Sequence, residues 1–149
     1  MKIMEDIKQG LIARFAFLEG KVTTPRQRRI FLDVEMARFK EVLDYSQKKL
    51  AFTHLCTITG LDEGERLGFI YHLAHKGGVL LNIKVSVPKE KPVLKTITDI
   101  FPSAEIYERE LIDLLGAEVE GLPAGNRYPL TDDWPKDEHP LRKDWKPKS

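Results

Sequence analysis

The chain has 149 residues, 42% hydrophobic and 32% charged, with 24 Lys and Arg against 23 Asp and Glu. That length suits one domain with a real core, and a formal net charge of +1 offers no general attraction to nucleic acid or to an anionic membrane. A single cysteine, Cys56, excludes an internal disulfide, and also an iron–sulfur cluster or cysteine-rich zinc site held by this chain alone. Glu5 and Asp6 stand where a signal peptide needs an apolar core, and no apolar run approaches the ~18 residues of a membrane span, so the expectation is a soluble, cytoplasmic chain.

Ile3, Ile7, Leu11, Phe15 and Leu18 recur at helical spacing, which predicts an amphipathic helix ending at Gly20 and packed on a sheet. A basic loop over residues 21–29 precedes a short strand marked by Ile30, Leu32 and Val34, and Met36, Phe39, Leu43 and Leu50 predict a second helix. Three strands follow. The first alternates at Phe52, His54, Cys56 and Ile58, the second at Leu67, Phe69, Tyr71 and Leu73, and the third from Val79 to Val87. Lys76-Gly77-Gly78 predicts a hairpin turn between the last two, since glycine takes positive φ without steric cost.

Pro88 and Pro92 close the sheet, a short helical segment is expected over residues 94–100, and a third helix opens at Pro102-Ser103, with Ser103 as N-cap and Gly116 as its end. From Gly121 onward the periodicity stops, and five of the nine prolines and both tryptophans fall in this last stretch. Proline removes hydrogen-bond donors and stiffens the backbone, whereas large aromatics are what disordered segments lack. The expected architecture is therefore α+β. An antiparallel or mixed four-stranded sheet packs with helices over residues 1–120, and an extended proline-rich tail, residues 121–149, is ordered against its own domain or a partner.

On the third helix, Tyr107, Leu111, Leu114 and Leu115 form a core stripe. Glu105, Arg109 and Asp113 follow one another four residues apart, Glu108 and Glu110 flank them, and Ile106 and Ile112 sit among these charges. Residues 105–120 carry six acids and one base, a local charge of −5 in a nearly neutral chain. Such a mixed face fits a surface that meets another protein, with a solvated helix face as the alternative. It does not fit catalysis, because Arg109 between two carboxylates keeps them ionised and no nucleophile stands beside a base. His72 and His75, three apart on a strand, point to opposite faces; His54 and Cys56 read as core with Phe52 and Ile58; His139 reads as a tail residue rather than a ligand. The basic run Thr24 to Arg29 lacks an aromatic platform and reads as a solvated loop, not a nucleic-acid site.

The run Glu108-Arg109-Glu110-Leu111-Ile112-Asp113-Leu114-Leu115-Gly116 and the later His139-Pro140-Leu141-Arg142-Lys143-Asp144-Trp145 resemble, in that order, the two signatures of one family. It is the C-subunit family of proton-pumping NADH:quinone oxidoreductase, with its counterparts in energy-converting membrane-bound nickel–iron hydrogenases. Leu130 to Trp134 resembles a further family segment, and looser likeness runs upstream through Gly60-Leu61-Asp62, Phe69 to Leu73 and Thr96-Ile97. The C subunit of the NADH enzymes carries Gly-His-Pro and then an Arg-Arg pair after the helix. This chain reads Gly121-Leu122-Pro123-Ala124-Gly125-Asn126-Arg127 there, and the resemblance is therefore closer to the hydrogenase counterpart.

The resemblance implies a non-catalytic structural subunit in the hydrophilic arm of a membrane-bound, ion-pumping nickel–iron hydrogenase, with the C subunit of an NADH (or related donor):quinone oxidoreductase as the alternative. It implies a large catalytic subunit and a small iron–sulfur subunit as partners, holding the nickel–iron centre and the iron–sulfur clusters. This chain itself would bind no cofactor, metal or nucleic acid, span no membrane, and sit on the cytoplasmic side of the cell membrane. The implied partner interface comprises Glu108, Arg109, Glu110 and Asp113 on the helix and Trp134, Pro140, Leu141, Arg142, Lys143, Asp144 and Trp145 in the tail.

Overall fold

The structure, a computed structural model, describes residues 2–148; Met1 and Ser149, the outer ends of the two expected segments, lie outside the described residues. The elements run α1 (Lys2–Arg14), a single 3-10 turn (Ala16–Leu18), β1 (Val22–Arg26), β2 (Arg29–Asp33), α2 (Met36–Lys48), β3 (His54–Asp62), β4 (Arg66–Ala74), β5 (Leu80–Pro88), β6 (Val93–Lys95), α3 (Ala104–Leu115) and β7 (Glu118–Glu120). The fold is α+β with a mixed sheet of five strands in the order β1-β2-β5-β4-β3, plus a two-stranded sheet of β6 and β7. The chain divides into two compact units, Met1–Thr59 with Ile70–Val85, and Gly60–Phe69 with Ser86–Ser149.

In the first unit the apolar alternation reads directly as burial. Ile30 and Leu32 of β2, Tyr71 and Leu73 of β4, and Leu81 and Ile83 of β5 have no exposed surface, each side chain being worth about 1.5–3 kcal/mol when removed from water. β2 and β5 run parallel with Ile30 opposite Leu81 and Leu32 opposite Ile83, so the buried positions of the two strands fall in register. β4 and β5 are joined by the expected tight turn, closed by the Val79 carbonyl accepting from His75 N–H, with Gly78 at φ +80°. A connection this short joins antiparallel neighbours. α1 buries Met4, Ile7 and Leu11 and meets α2 where Phe15 and Tyr45 pack edge to face at 5.5 Å.

One polar rung crosses this apolar unit. Thr59 Oγ1 bonds His72 Nε2 at 2.8 Å, His72 Nδ1 bonds Asn82 Oδ1 at 2.6 Å, and Asn82 Nδ2 donates to the Ile30 carbonyl at 3.0 Å. The rung links β3, β4, β5 and β2, and satisfaction of every member is what makes such a network tolerable away from water.

Three expectations are corrected, and the N-cap at Ser103 is met in position. The basic loop is a hairpin: β1 pairs antiparallel with β2, turning through Arg28 at φ +63°. β1 is the sheet's outer strand, where Pro25 and exposed polar side chains are tolerated because one edge pairs with nothing. The sheet thus gains a fifth strand. His54 is exposed and Cys56 only half-buried; Phe52 lies before the strand, and the buried residues of β3, Leu55, Ile58 and Asp62, do not keep a strict alternation. Residues 93–95 form a strand, not a helix, paired parallel to Glu118–Glu120. Ser103 occupies the N-cap position of α3 without a capping side-chain bond.

In the second unit α3 lies over the closing residues of β3. Gly60 is the point of closest approach: a Cβ there would sit 2.2 Å from Leu115 Cδ1 and 2.9 Å from Leu111 Cδ2. Both leucines are buried and cannot swing aside. Gly60→Ala is expected to lower unfolding free energy by about 1–3 kcal/mol through overpacking, measured by urea titration, with Gly10→Ala, whose Cβ would lie 3.3 Å from its nearest neighbour, as the milder comparison.

Candidate partner interface

α3 carries the acid-rich motif, and its burial pattern divides the acids. Glu108 has no exposed surface and Asp113 is 4% exposed, while Glu105 and Ile106 face outward. A carboxylate taken out of water must be given donors. Glu108 accepts from Thr96 Oγ1 at 2.6 Å and from Ile97 N–H at 2.9 Å, which fixes the turn leaving β6. Asp113 accepts from Leu130 N–H at 3.0 Å and Arg127 Nε at 3.3 Å, and Arg127 Nη1 continues to the Trp134 carbonyl at 2.7 Å. Arg109 pairs with Glu105 at 2.9 Å and donates to the Pro123 carbonyl at 2.5 Å. A Cβ on Gly125 would come within 2.6 Å of Arg109 Nη2, so the segment's backbone lies directly on the guanidinium.

The C-terminal end of α3 is closed by the same segment. Gly116 takes the left-handed conformation at φ +76°, as its place after the helix predicts. Beyond it the last carbonyls receive donors from the signature near the chain end: Asp113 O from His139 Nδ1, Leu114 O from Leu141 N–H, and Leu115 O from Arg142 Nε at 2.6 Å. A cationic donor at a helix C-terminus also meets the negative end of the helix dipole. A Cβ at Gly116 would lie 2.7 Å from His139 Cδ2 and 2.8 Å from Arg142 Nη2, so only glycine leaves room for this cap.

Trp134 and Trp145 pack on each other at 5.8 Å, and both indole N–H groups donate to Glu138, one to its carbonyl and one to its carboxylate. Farther along, Asp62 at the end of β3 gathers three donors. Gly64 N–H bonds Oδ1 at 2.9 Å, and Lys89 Nζ and Lys143 N–H each bond Oδ2 at 2.8 Å. Lys89 reaches on to Asp144 at 3.2 Å. Burial alone would raise the Asp62 pKa; the bonds from Lys89, Gly64 and Lys143 outweigh it and hold the carboxyl well below the usual carboxylate range. The same Asp62 bond holds the Lys89 ammonium above its ordinary value against desolvation, and Lys89 in turn lowers exposed Asp144.

Of the residues named from sequence, Glu108, Arg109, Asp113, Trp134, Arg142, Asp144 and Trp145 all make contacts inside the chain. Pro140 and Glu110 are half-buried, and the side chains of Leu141 and Lys143 face outward. Large apolar side chains also stay open: Ile106, Tyr128 and Leu141 expose about half of their surface each, at 47%, 43% and 54%. Ile106 and Tyr128 line one groove of about 550 Å³ with Pro102, Arg109 and Arg127. Sequence reasoning missed Asp62, Lys89 and Arg127, although Asp62 stood in the Gly60-Leu61-Asp62 likeness. Among the described residues no three His, Cys, Asp or Glu side chains gather as a metal site, and no helix is long and apolar enough to cross a membrane.

A family model described as the respiratory-chain NADH dehydrogenase 30 kDa subunit matches residues 32–149. The membrane-bound hydrogenase subunit beta of Pyrococcus furiosus is 32% identical, the match covering 98% of this chain and 88% of that one. The C subunit of the F420H2 dehydrogenase of Methanosarcina mazei is 33% identical over 93% of this chain and 89% of its own length. Among solved structures, a chain of the membrane-bound sulfane sulfur reductase, an archaeal respiratory membrane complex, superposes with a TM-score of 0.81 at 25% identity, covering 95% of this chain and 85% of that one.

Asp62 binds its proton more weakly folded than unfolded, so its contribution to stability is complete above the unfolded value of 3.8 and is lost as pH falls below it toward the folded value. Unfolding free energy measured against pH should therefore decline on the acid side of that value, and Asp62→Asn should flatten that limb while lowering stability at neutral pH.

Proposed function

The chain belongs to the family of the respiratory-chain NADH dehydrogenase 30 kDa subunit, and from that premise we propose that it is a structural subunit in the hydrophilic arm of a membrane-bound, ion-pumping nickel–iron hydrogenase. The observation that carries the reading is the division of labour on α3 and the C-terminal segment. Glu108, Arg109, Asp113 and Arg142 are engaged within the chain, while Ile106 and Tyr128 stay exposed along one groove and Leu141 stays exposed in the C-terminal segment. Carboxylates that hold backbone amides, as Glu108 and Asp113 do, are not free to move protons for a substrate. A surface of this kind suits a subunit that positions its neighbours.

The hydrogenase assignment is supported by the nearly full-length likeness to the Pyrococcus furiosus subunit and by the departure at Gly121 to Arg127 from the pattern of the NADH enzymes. The partners in this reading are a large catalytic subunit with the nickel–iron centre and a small subunit with iron–sulfur clusters, on the cytoplasmic side of the membrane. A second reading, the C subunit of a quinone reductase fed by NADH or a related donor, is favoured by the family model's own description and by the likeness to the F420H2 enzyme's subunit.

Two measurements test the proposal. Complexes isolated through a tag on this chain from its native membranes should contain nickel and a hydrogen-evolving large subunit; a nickel-free complex with a quinone site supports the second reading, and a free monomer overturns both. Ile106→Glu combined with Tyr128→Ala should leave the purified chain folded by circular dichroism yet abolish recovery of the large subunit, since truncating buried interface anchors costs about 2 kcal/mol or more.

A further inference from the structure

Among the described residues the C-terminal segment has no helix or strand, yet its backbone is held at particular points, and two groups of these centre on buried aspartates. The inner group centres on Asp113, which receives Leu130 N–H and Arg127, while the Asp113 carbonyl receives His139. The outer group centres on Asp62, 51 positions earlier in the chain, which receives Lys143 N–H and Lys89, and Lys89 also donates to Asp144. Each aspartate side chain is at most 6% exposed, so each must keep its donors or be left uncompensated out of water.

We infer that the C-terminal segment is fastened to its own domain before any partner is met, by two separable latches: Asp113 for the stretch around residues 127–130 and Asp62 for residues 142–145. The inference concerns the chain alone and stands independently of the proposed assembly. Separability follows from the donor sets, which share no residue: Asp113 uses Arg127 and Leu130, and Asp62 uses Gly64, Lys89 and Lys143. The outer latch also has the more polar setting, since Asp144 is 72% exposed and Arg66, Glu90 and Lys89 border an open groove of about 720 Å³ beside it. A partner reaching this chain meets a surface already in place, and the entropy of ordering the segment is not charged to binding.

The test uses the full chain purified alone. Both of its tryptophans, Trp134 and Trp145, lie in this segment and pack on each other, so intrinsic emission reports the segment while far-UV circular dichroism reports the helices and sheet. Amide exchange then resolves the two latches. In the unmodified chain the amides of Leu130 and Lys143 should both be protected. Asp62→Asn should speed exchange at Lys143 roughly ten- to hundredfold, the loss of a charge-assisted bond, and red-shift the emission, with Leu130 and the dichroism unchanged. Asp113→Asn should speed Leu130 instead. Lys89→Met and Arg127→Met repeat the two openings from the donor side should either aspartate variant fail to fold. Unprotected Lys143 and Leu130 amides in the unmodified chain would overturn the inference, and so would variants that release both amides together.

Discussion

A carboxylate that leaves water must find its hydrogen bonds inside the protein, and in the second unit this requirement organises the chain. Glu108, Asp113 and Asp62 are each buried, and none is satisfied by its immediate sequence neighbours alone. Glu108 takes its donors from residues 96 and 97, Asp113 from 127 and 130, and Asp62 from residues 64, 89 and 143. Segments with no regular structure of their own are thereby given fixed positions. The helix end adds a complementary demand, because the carbonyls of its last turn need donors, and His139, Leu141 and Arg142 supply them. Gly116 is the consequence of that meeting, since a side chain there would occupy the space taken by the His139 ring and the Arg142 guanidinium.

The first unit follows a different logic. Its strands are set by apolar alternation, and the in-register burial of Ile30 with Leu81 and Leu32 with Ile83 leaves one register in which both strands keep their apolar sides inward. The single polar rung through Thr59, His72 and Asn82 adds direction to an otherwise uniform apolar interior, because its donors and acceptors match only when these strands are aligned as they are. Histidine here is a structural connector, with both ring nitrogens engaged.

This contrast explains what could be read from the sequence. The four apolar strands, the three helices and the glycine ending α3 are local patterns, and they stand close to where Ile30, Tyr71, Val85 and Gly116 suggested, except that α1 ends at Arg14 and a 3-10 turn, not helix, carries the chain on toward Gly20. β1 was unreadable because an edge strand need not alternate, and Val22 is its single buried residue. β6 was unreadable because its partner is Glu118–Glu120, beyond an intervening helix, and three residues carry no period. On α3 the sequence pattern gave no sign that Glu108 and Asp113 are buried. Glu108 follows Tyr107 and precedes Leu111 on the inward side of the helix, but acid residues are placed on the solvent side by default. Donors at Thr96 and Ile97, which no spacing rule reaches, help make its burial tolerable.

The motifs therefore act first within the chain. A run of charged and aromatic residues invites the reading that each residue touches a partner. Here Arg142 caps a helix, Trp134 and Trp145 enclose Glu138, and Arg109 carries the backbone at Pro123 and Gly125. Their common effect is to hold a proline-rich segment in one conformation, with Ile106, Tyr128 and Leu141 left outside. Ordering a residue costs about 1–2 kcal/mol of backbone freedom, and association is opposed by whatever part of that cost remains when the partners meet. A segment whose polar groups are already satisfied brings little of it. The near-neutral composition fits the same picture: on α3, Glu105 is met by Arg109, Asp113 by Arg127 and a backbone amide, and Glu108 by Thr96 and a backbone amide.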